Sequence, residues 1–240
     1  MTGEPTRAPL ALVARLRRLD TSAVSDAIDV LGVGGVVTGI SPIWPSAPVA
    51  GRVIPVQLVP VGESVPPPHH LGTAAIEAGG PDDVIVVDNR GRLEMGGWGG
   101  LLARGACARG IAGVIVDGAC RDADEMEQIG FAVFARGTTA RTARGRVVER
   151  ITDEIEVGGV AVRAGDFVLA DKTAIVFVPA ARAEKVIDAA ERIVAREAAM
   201  ATALAQGIPA MSVMGMAYEE LLTRLASSPS DLPQPGVISC

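Results

Sequence analysis

Short runs of β-branched apolar residues recur through the middle of the chain, separated by stretches with helical spacing. Val84-Ile85-Val86-Val87-Asp88, Gly113-Val114-Ile115-Val116-Asp117 and Phe131 to Ala135 each have the length of a strand. Their near-continuous apolar character is that of strands buried on both faces. Between them the pattern predicts a helix from Trp98 to Arg109 and a short one from Ala123 to Ile129. The result is a central parallel β-α-β-α-β unit, whose crossovers are expected to be right-handed. Loops 89–99 and 118–122 then leave the carboxyl ends of neighbouring strands on one sheet edge, where open α/β sheets bind their ligands. Function is expected at that edge.

The flanking segments are predicted as follows. Residues 1–8 read as a flexible lead-in, and Leu10, Leu12, Val13, Leu16 and Leu19 as one helical stripe. Asp20-Thr21-Ser22 offers an N-cap for a helix from Ala23 to Leu31, and Gly32 to Gly39 reads as loop. Val49 to Val61 is strand-like, with Pro55 and Pro60 suggesting an edge or interrupted strand. The stiff connector Pro66-Pro67-Pro68-His69-His70 leads into a helix from Leu71 to Ala78, stopped by Gly79-Gly80-Pro81. Ile155 to Val178 predicts two hairpins, one turning at Gly158-Gly159. Pro179 opens a long helix, Ala181 to Ala205, with Val186, Ile187, Ala190, Ile193 and Val194 as its apolar stripe. Met211 to Ala226 reads as a further short helix and Ser227 to Cys240 as a polar tail, so the main domain is expected over 9–210 and an appendage over 211–240.

Composition narrows this picture. The 240 residues suit one large domain, and 49% hydrophobic but 3% aromatic content requires a core of Val, Ile, Leu and Ala. A formal charge of −6 argues against a nucleic-acid binder. Cys107, Cys120 and Cys240 are dispersed and odd in number, indicating neither a disulfide framework nor a zinc site. A reducing, cytoplasmic setting is expected, with no secretory signal and no membrane span.

Two features of the expected edge carry chemistry. In Gly96-Gly97-Trp98-Gly99-Gly100-Leu101-Leu102, glycines at a helix start allow a carboxylate or phosphate to approach bare N–H groups at the positive end of the dipole. The pattern GxxxxGK[ST] is absent, so a nucleotide P-loop is unsupported; the alternative is that the glycines only permit close packing. Arg121-Asp122 pairs a bidentate carboxylate binder with a ligand for a hard cation, or else forms a surface salt bridge or helix cap. Asp124, Glu125 and Glu127 read as first-turn carboxylates favoured by the helix dipole, and Asp117 as structural. His69-His70 fits a helix entry better than a metal site, because adjacent side chains point apart. Arg136, Arg141, Arg144 and Arg146 read as a solvated loop rather than as the receptor for an acidic substrate tail.

The run WGGLLARGACARGIAGVIVDGACRDADEMEQIGFAVFARG, with VGGVAVRAGDFVLADKTAIVFVP and LDTSAVSDAIDVLG, resembles a family of 4-hydroxy-4-methyl-2-oxoglutarate and 4-carboxy-4-hydroxy-2-oxoadipate aldolases that also contains the regulator of ribonuclease E activity A. The resemblance spans about residues 16–207. It implies an α/β fold, a single layered β/β/α domain of the swivelling kind, assembled as a homotrimer or hexamer with sites between subunits. In the family's aldolases an acid precedes Arg-Asp by twenty residues. On that pattern Arg121 binds substrate, Asp122 holds Mg²⁺ or Mn²⁺, and Gly99, Gly100, Leu101 and Leu102 form the loop whose amides bind pyruvate. The expected acid falls on Gly100, and Asp88 or Glu94 are the stand-ins available in the same loop. Glu197, in VAREAAMATAL, resembles the acid that the long helix sends into a neighbouring subunit's site.

The activity so implied is metal-dependent cleavage of a small 2-oxo acid through a pyruvate enolate, with oxaloacetate decarboxylation open to the same site. The competing reading is a regulator that masks a partner enzyme: Asp122 favours the lyase, Gly100 the regulator. A related lyase or isomerase on another oxo acid is a third. Specificity would reside in loops 33–48, 62–70 and 136–150, which carry no readable code.

Overall fold

The computed structural model describes residues 7–150 and 152–215. The chain runs α1 (Arg7–Leu16), α2 (Thr21–Leu31), β1 (Gly35–Val37), β2 (Ser41–Pro42), β3 (Val49–Pro60), α3 (Thr73–Ala78), β4 (Asp83–Gly96), α4 (Gly100–Ala108), β5 (Gly113–Cys120), α5 (Ala123–Gln128), β6 (Val133–Thr138) and β7 (Val147–Arg150). It continues as β8 (Glu154–Val157), β9 (Val160–Arg163), β10 (Phe167–Ala170), β11 (Ile175–Val178), α6 (Ala183–Ala205) and α7 (Ala210–Val213). Among the described residues no helix is long and apolar enough to cross a membrane.

The apolar runs become the centre of a nine-stranded sheet, ordered β1-β11-β10-β3-β4-β5-β6-β2, with β7 pairing to the far half of β3. β3, β4, β5 and β6 are parallel neighbours joined by α3, α4 and α5. Alternate residues of these strands enter different layers, because successive side chains of a strand point to opposite faces. Ile85, Val87, Val114 and Val116 pack with Ile76, Ala103, Ala106 and Met126 of the crossover helices. On the same face, Ala50, Phe167, Leu169 and Val176 pack under α1, α2 and α6. Val84, Val86, Ile115 and Phe134 face the other way and are covered by Ile155, Val157 and Val162 of the β8–β9 hairpin. The layers are therefore helices, main sheet and hairpin, the β/β/α arrangement expected.

Helix α2 starts where its cap predicts. Asp20 is extended and accepts a hydrogen bond from the Ala23 N–H at 2.9 Å. Asp171 adds a tertiary contact, accepting from the Thr21 N–H at 2.9 Å and its hydroxyl at 2.8 Å. Gly32 ends the helix in the left-handed conformation, φ 60°. Both C-terminal hairpins form, as does α6.

Five expectations are corrected. The segment from Val49 is a central strand, not an edge, and of the two expectations it is the interruption that appears, on one side only. Pro55 is tolerated because β10 pairs with Val49 to Arg52 and β7 with Gln57 to Pro60, leaving Pro55 opposite the gap between them while β4 pairs along the other side. The glycine-rich stretch after Asp88 is not all loop: β4 continues to Gly96 with irregular register between Asp88 and Arg92 and between Arg92 and Gly96. Gly32 to Gly39 contains β1, and the loop 136–150 contains β7. Helix α1 already begins at Arg7. Of the helix expected from Met211, α7 covers Ala210–Val213, and the remainder of that span lies outside the described residues.

Candidate active site

The exit of β5 and the entry of α4 are joined by backbone hydrogen bonds. The Gly97 N–H donates to Ala119 O at 2.8 Å and the Arg121 N–H to Trp98 O at 2.9 Å. This brings Arg121-Asp122 against Gly99-Gly100, the two motifs that the sequence holds more than twenty residues apart. Asp122 has φ 59°, a left-handed conformation that a non-glycine residue adopts rarely and Asp more readily than most. It precedes α5 but makes no side-chain cap there. Its carboxylate turns instead to α4, where Oδ2 accepts from the Gly100 N–H at 3.1 Å. Arg121 Nε donates to the same carboxylate, 3.0 Å from Oδ2 and 3.2 Å from Oδ1.

The glycines are required by this closeness. A Cβ on Gly99 would lie 2.9 Å from both Arg121 Cγ and Asp122 Oδ2. A Cβ on Gly100 would collide with the Glu125 carboxylate. Within α4 the first helical bond runs from the Ala103 N–H to Gly99 O at 3.0 Å. The amides of Leu101 and Leu102 thus belong to the first turn, where no intrahelical acceptor exists. The Leu102 side chain packs on the core, whereas Leu101 is 83% exposed.

Other candidates separate from this cluster. Asp88 points to the hairpin face, where its carboxylate accepts from Gln57 Nε2 at 3.1 Å and the Arg90 N–H at 2.9 Å. It lines a cavity of about 650 Å³ with Arg90, Asp117, Arg136 and Glu156, so it does not stand in for an acid at position 100. Glu94 is exposed on β4. Arg136 is not a free loop cation: its Nε lies 2.5 Å from the buried Asp117 carboxylate, which also accepts from the Gly158 N–H at 2.7 Å. His69 and His70 sit at the entry to α3, with Thr73 Oγ1 donating to His70 O at 2.7 Å. Glu197 is exposed on α6 and acts electrostatically on Asp26, whose carboxyl is raised by burial first and then by Glu197, Asp29 and Asp20.

Cys120 sits beside the cluster but is fully buried, and burial pushes its thiol up to about 11. It is therefore unsuited to act as a nucleophile. Sequence reasoning missed the placement of Glu125, whose Oε1 lies 2.5 Å from Arg104 Nε. The one local signal was the i+4 spacing of Arg104 from Gly100, which puts both on one face of α4 but does not point to Glu125. Among the described residues no group of three or more His, Cys, Asp or Glu could enclose a metal. Two carboxylates at one helix start nevertheless fit a small hard cation of the Mg²⁺ type, which is usually held by one or two carboxylates with water and substrate oxygens completing its shell.

Similarity to known proteins agrees with this architecture. A protein of Halalkalibacterium halodurans named as a proposed 4-hydroxy-4-methyl-2-oxoglutarate aldolase is 29% identical over 206 residues, 86% of this chain and 94% of that protein. Protein DlpA of Legionella pneumophila is 27% identical over 197 residues, covering 82% of this chain; the match spans 32% of DlpA's length. The crystal structure of Streptomyces coelicolor RraAS2, described as an unusual member of the RNase ES inhibitor RraA protein family, superposes with a TM-score of 0.71 at 27% identity, covering 82% of this chain and 97% of that one. The RraA-like family model, Aldolase/RraA, matches residues 21–177. With the β/β/α layering and the Arg121-Asp122 edge in place, the chain belongs to the RraA-like family.

Proposed function

We propose that the chain is a divalent-metal-dependent lyase, a pyruvate aldolase of the 4-hydroxy-4-methyl-2-oxoglutarate type, working at the Arg121-Asp122 edge. The observation that carries this reading is the convergence of the Asp122 carboxylate, the Arg121 guanidinium and the first-turn amides of α4 on one spot. Such a spot suits an anion and a cation together.

Arg121 commits Nε to Asp122, so its terminal nitrogens are the donors for the carboxylate of a 2-oxo acid. The Leu101 and Leu102 amides bind the same end, helped by the helix dipole. Asp122 holds Mg²⁺ or Mn²⁺, which when bound supplies Lewis-acid polarisation of the keto group. In the cleavage, the C4 hydroxyl gives up its proton to water and the C3–C4 bond breaks. That electron pair enters a pyruvate enolate, and a carbonyl fragment leaves. Arg121 and the amides stabilise the charge that develops, and a proton added at C3 yields pyruvate. Loss of carbon dioxide from oxaloacetate generates the same enolate.

The site is open at the exposed Leu101, and a homo-oligomer, trimer or hexamer, is proposed to cover it, with Glu197 of a neighbouring copy approaching from α6. The second reading, a non-catalytic binding protein, is favoured by Gly100 and by the likeness to RraAS2. The assay is pyruvate release from 4-hydroxy-4-methyl-2-oxoglutarate, related 4-hydroxy-2-oxo acids and oxaloacetate with Mg²⁺ or Mn²⁺. Release that chelation abolishes and Asp122→Ala removes is expected; no release from any of them defeats the lyase reading and leaves the binding protein.

A further inference from the structure

Position 100 is empty of a side chain, but the space beside it is not. The Glu125 carboxylate stands where a side chain at position 100 would project, close enough that even a Cβ would strike Oε2. We propose that Glu125 supplies the carboxylate missing at Gly100, so that Asp122 and Glu125 together hold the divalent cation at the start of α4. This inference rests on the lyase reading of the same edge.

Three constraints hold Glu125 there. It lies in the first turn of α5, three residues after Asp122, with its N–H donating to Asp122 O at 3.1 Å. The next residue, Met126, is fully buried and fixes the rotation of that short helix. Arg104, one turn along α4 from Gly100, takes Oε1 at 2.5 Å and leaves Oε2 turned toward the glycine. One carboxylate therefore accepts the Gly100 N–H while the other sits over the same residue's Cα. Glycine at 100 is the condition for this arrangement: any side chain there evicts Glu125. The acid has moved from α4 to α5, and the helix start still faces two carboxylates.

The competing account is that Arg104 and Glu125 merely tether α4 to α5. Glu125→Gln separates the two, because the amide oxygen still accepts from Arg104 while the charge is lost. The measurement is Mn²⁺ titration of the full-length protein, followed by electron paramagnetic resonance of free Mn²⁺, with no substrate present. Glu125→Gln is expected to bind Mn²⁺ at least about tenfold more weakly than wild type with an unchanged melting curve. Glu125→Ala should weaken it likewise, and adding Gly100→Asp to Glu125→Ala should restore most of the lost affinity.

Wild-type affinity in Glu125→Gln overturns the proposal, as does a double variant no tighter than Glu125→Ala. If Glu125 controls Mn²⁺ binding but no 2-oxo acid is cleaved, the cation site stands and the lyase reading falls. If pyruvate release requires Asp122 but is indifferent to Glu125, the reverse holds.

Discussion

At position 122 glycine should stabilise the fold relative to alanine, the inverse of the preference inside a helix. Asp122 has φ 59° and ψ 41°, and its carboxylate holds the Gly100 N–H at 3.1 Å. Both Asp122→Ala and Asp122→Gly delete that bond, which acts as a cap of α4, at a shared cost of about 1 kcal/mol. They differ in the backbone. Alanine in the left-handed region pays about 1–2 kcal/mol that glycine does not. Glycine gives back about 0.4–1 kcal/mol through the larger entropy of its unfolded chain. Taken at mid-range, the balance favours Asp122→Gly by about 0.8 kcal/mol, or roughly 2–3 °C in a domain of this size. Differential scanning fluorimetry, checked by urea titration, reads the order directly. Both variants should lose metal-dependent pyruvate release equally. A melting temperature for Asp122→Ala at or above that of Asp122→Gly would refute the assignment of a strained left-handed turn at this position.

Asp171 and Asp26 should respond to pH in opposite senses. Burial raises Asp171, but hydrogen bonds from the Thr21, Thr173 and Ala174 N–H groups and the Thr21 hydroxyl outweigh it, so the carboxyl is lowered overall. Its stabilisation is present above about pH 4 and is lost as pH falls through the depressed folded value; Asp171→Asn should cost about 1–3 kcal/mol in urea unfolding at pH 7, a difference that shrinks at pH 3. Asp26 is raised by burial and then by Glu197, Asp29 and Asp20, so its charged form opposes folding at neutral pH. Asp26→Asn should melt higher at pH 7, and the gain should fade on acidification through the raised value. Peptide mapping after iodoacetamide at pH 8 should find the exposed Cys107 alkylated and the buried Cys120 intact, as a thiol pushed up to about 11 requires. Gly118→Ala should yield little soluble protein, because φ is +146° and a Cβ there would lie 2.7 Å from the Arg92 carbonyl oxygen.

The sequence determined what depends on local spacing. The apolar runs of β4, β5 and β6, the Asp20 cap, the turn at Gly158-Gly159 and the stripe of α6 are statements about neighbours along the chain, and the structure forms them. The Arg121-Asp122 pair beside a glycine-rich helix start was legible for the same reason, once parallel strands put both loops on one edge. Tertiary structure decided the rest. Pro55 left an edge and an interrupted strand both open because the sequence does not show that β3 exchanges β10 for β7 at that residue. Arg136 read as a solvated loop because its partner Asp117 lies on the adjacent strand, with the β8–β9 turn closing over it. Asp88 looked available by proximity in sequence, yet strand alternation points it to the hairpin face. Glu125 read as a dipole-favoured surface acid because nothing local reveals that Gly100, twenty-five residues earlier, leaves room for its carboxylate. Side-chain direction and shared space arise only when separate segments pack, and at this edge that packing chose which acids meet.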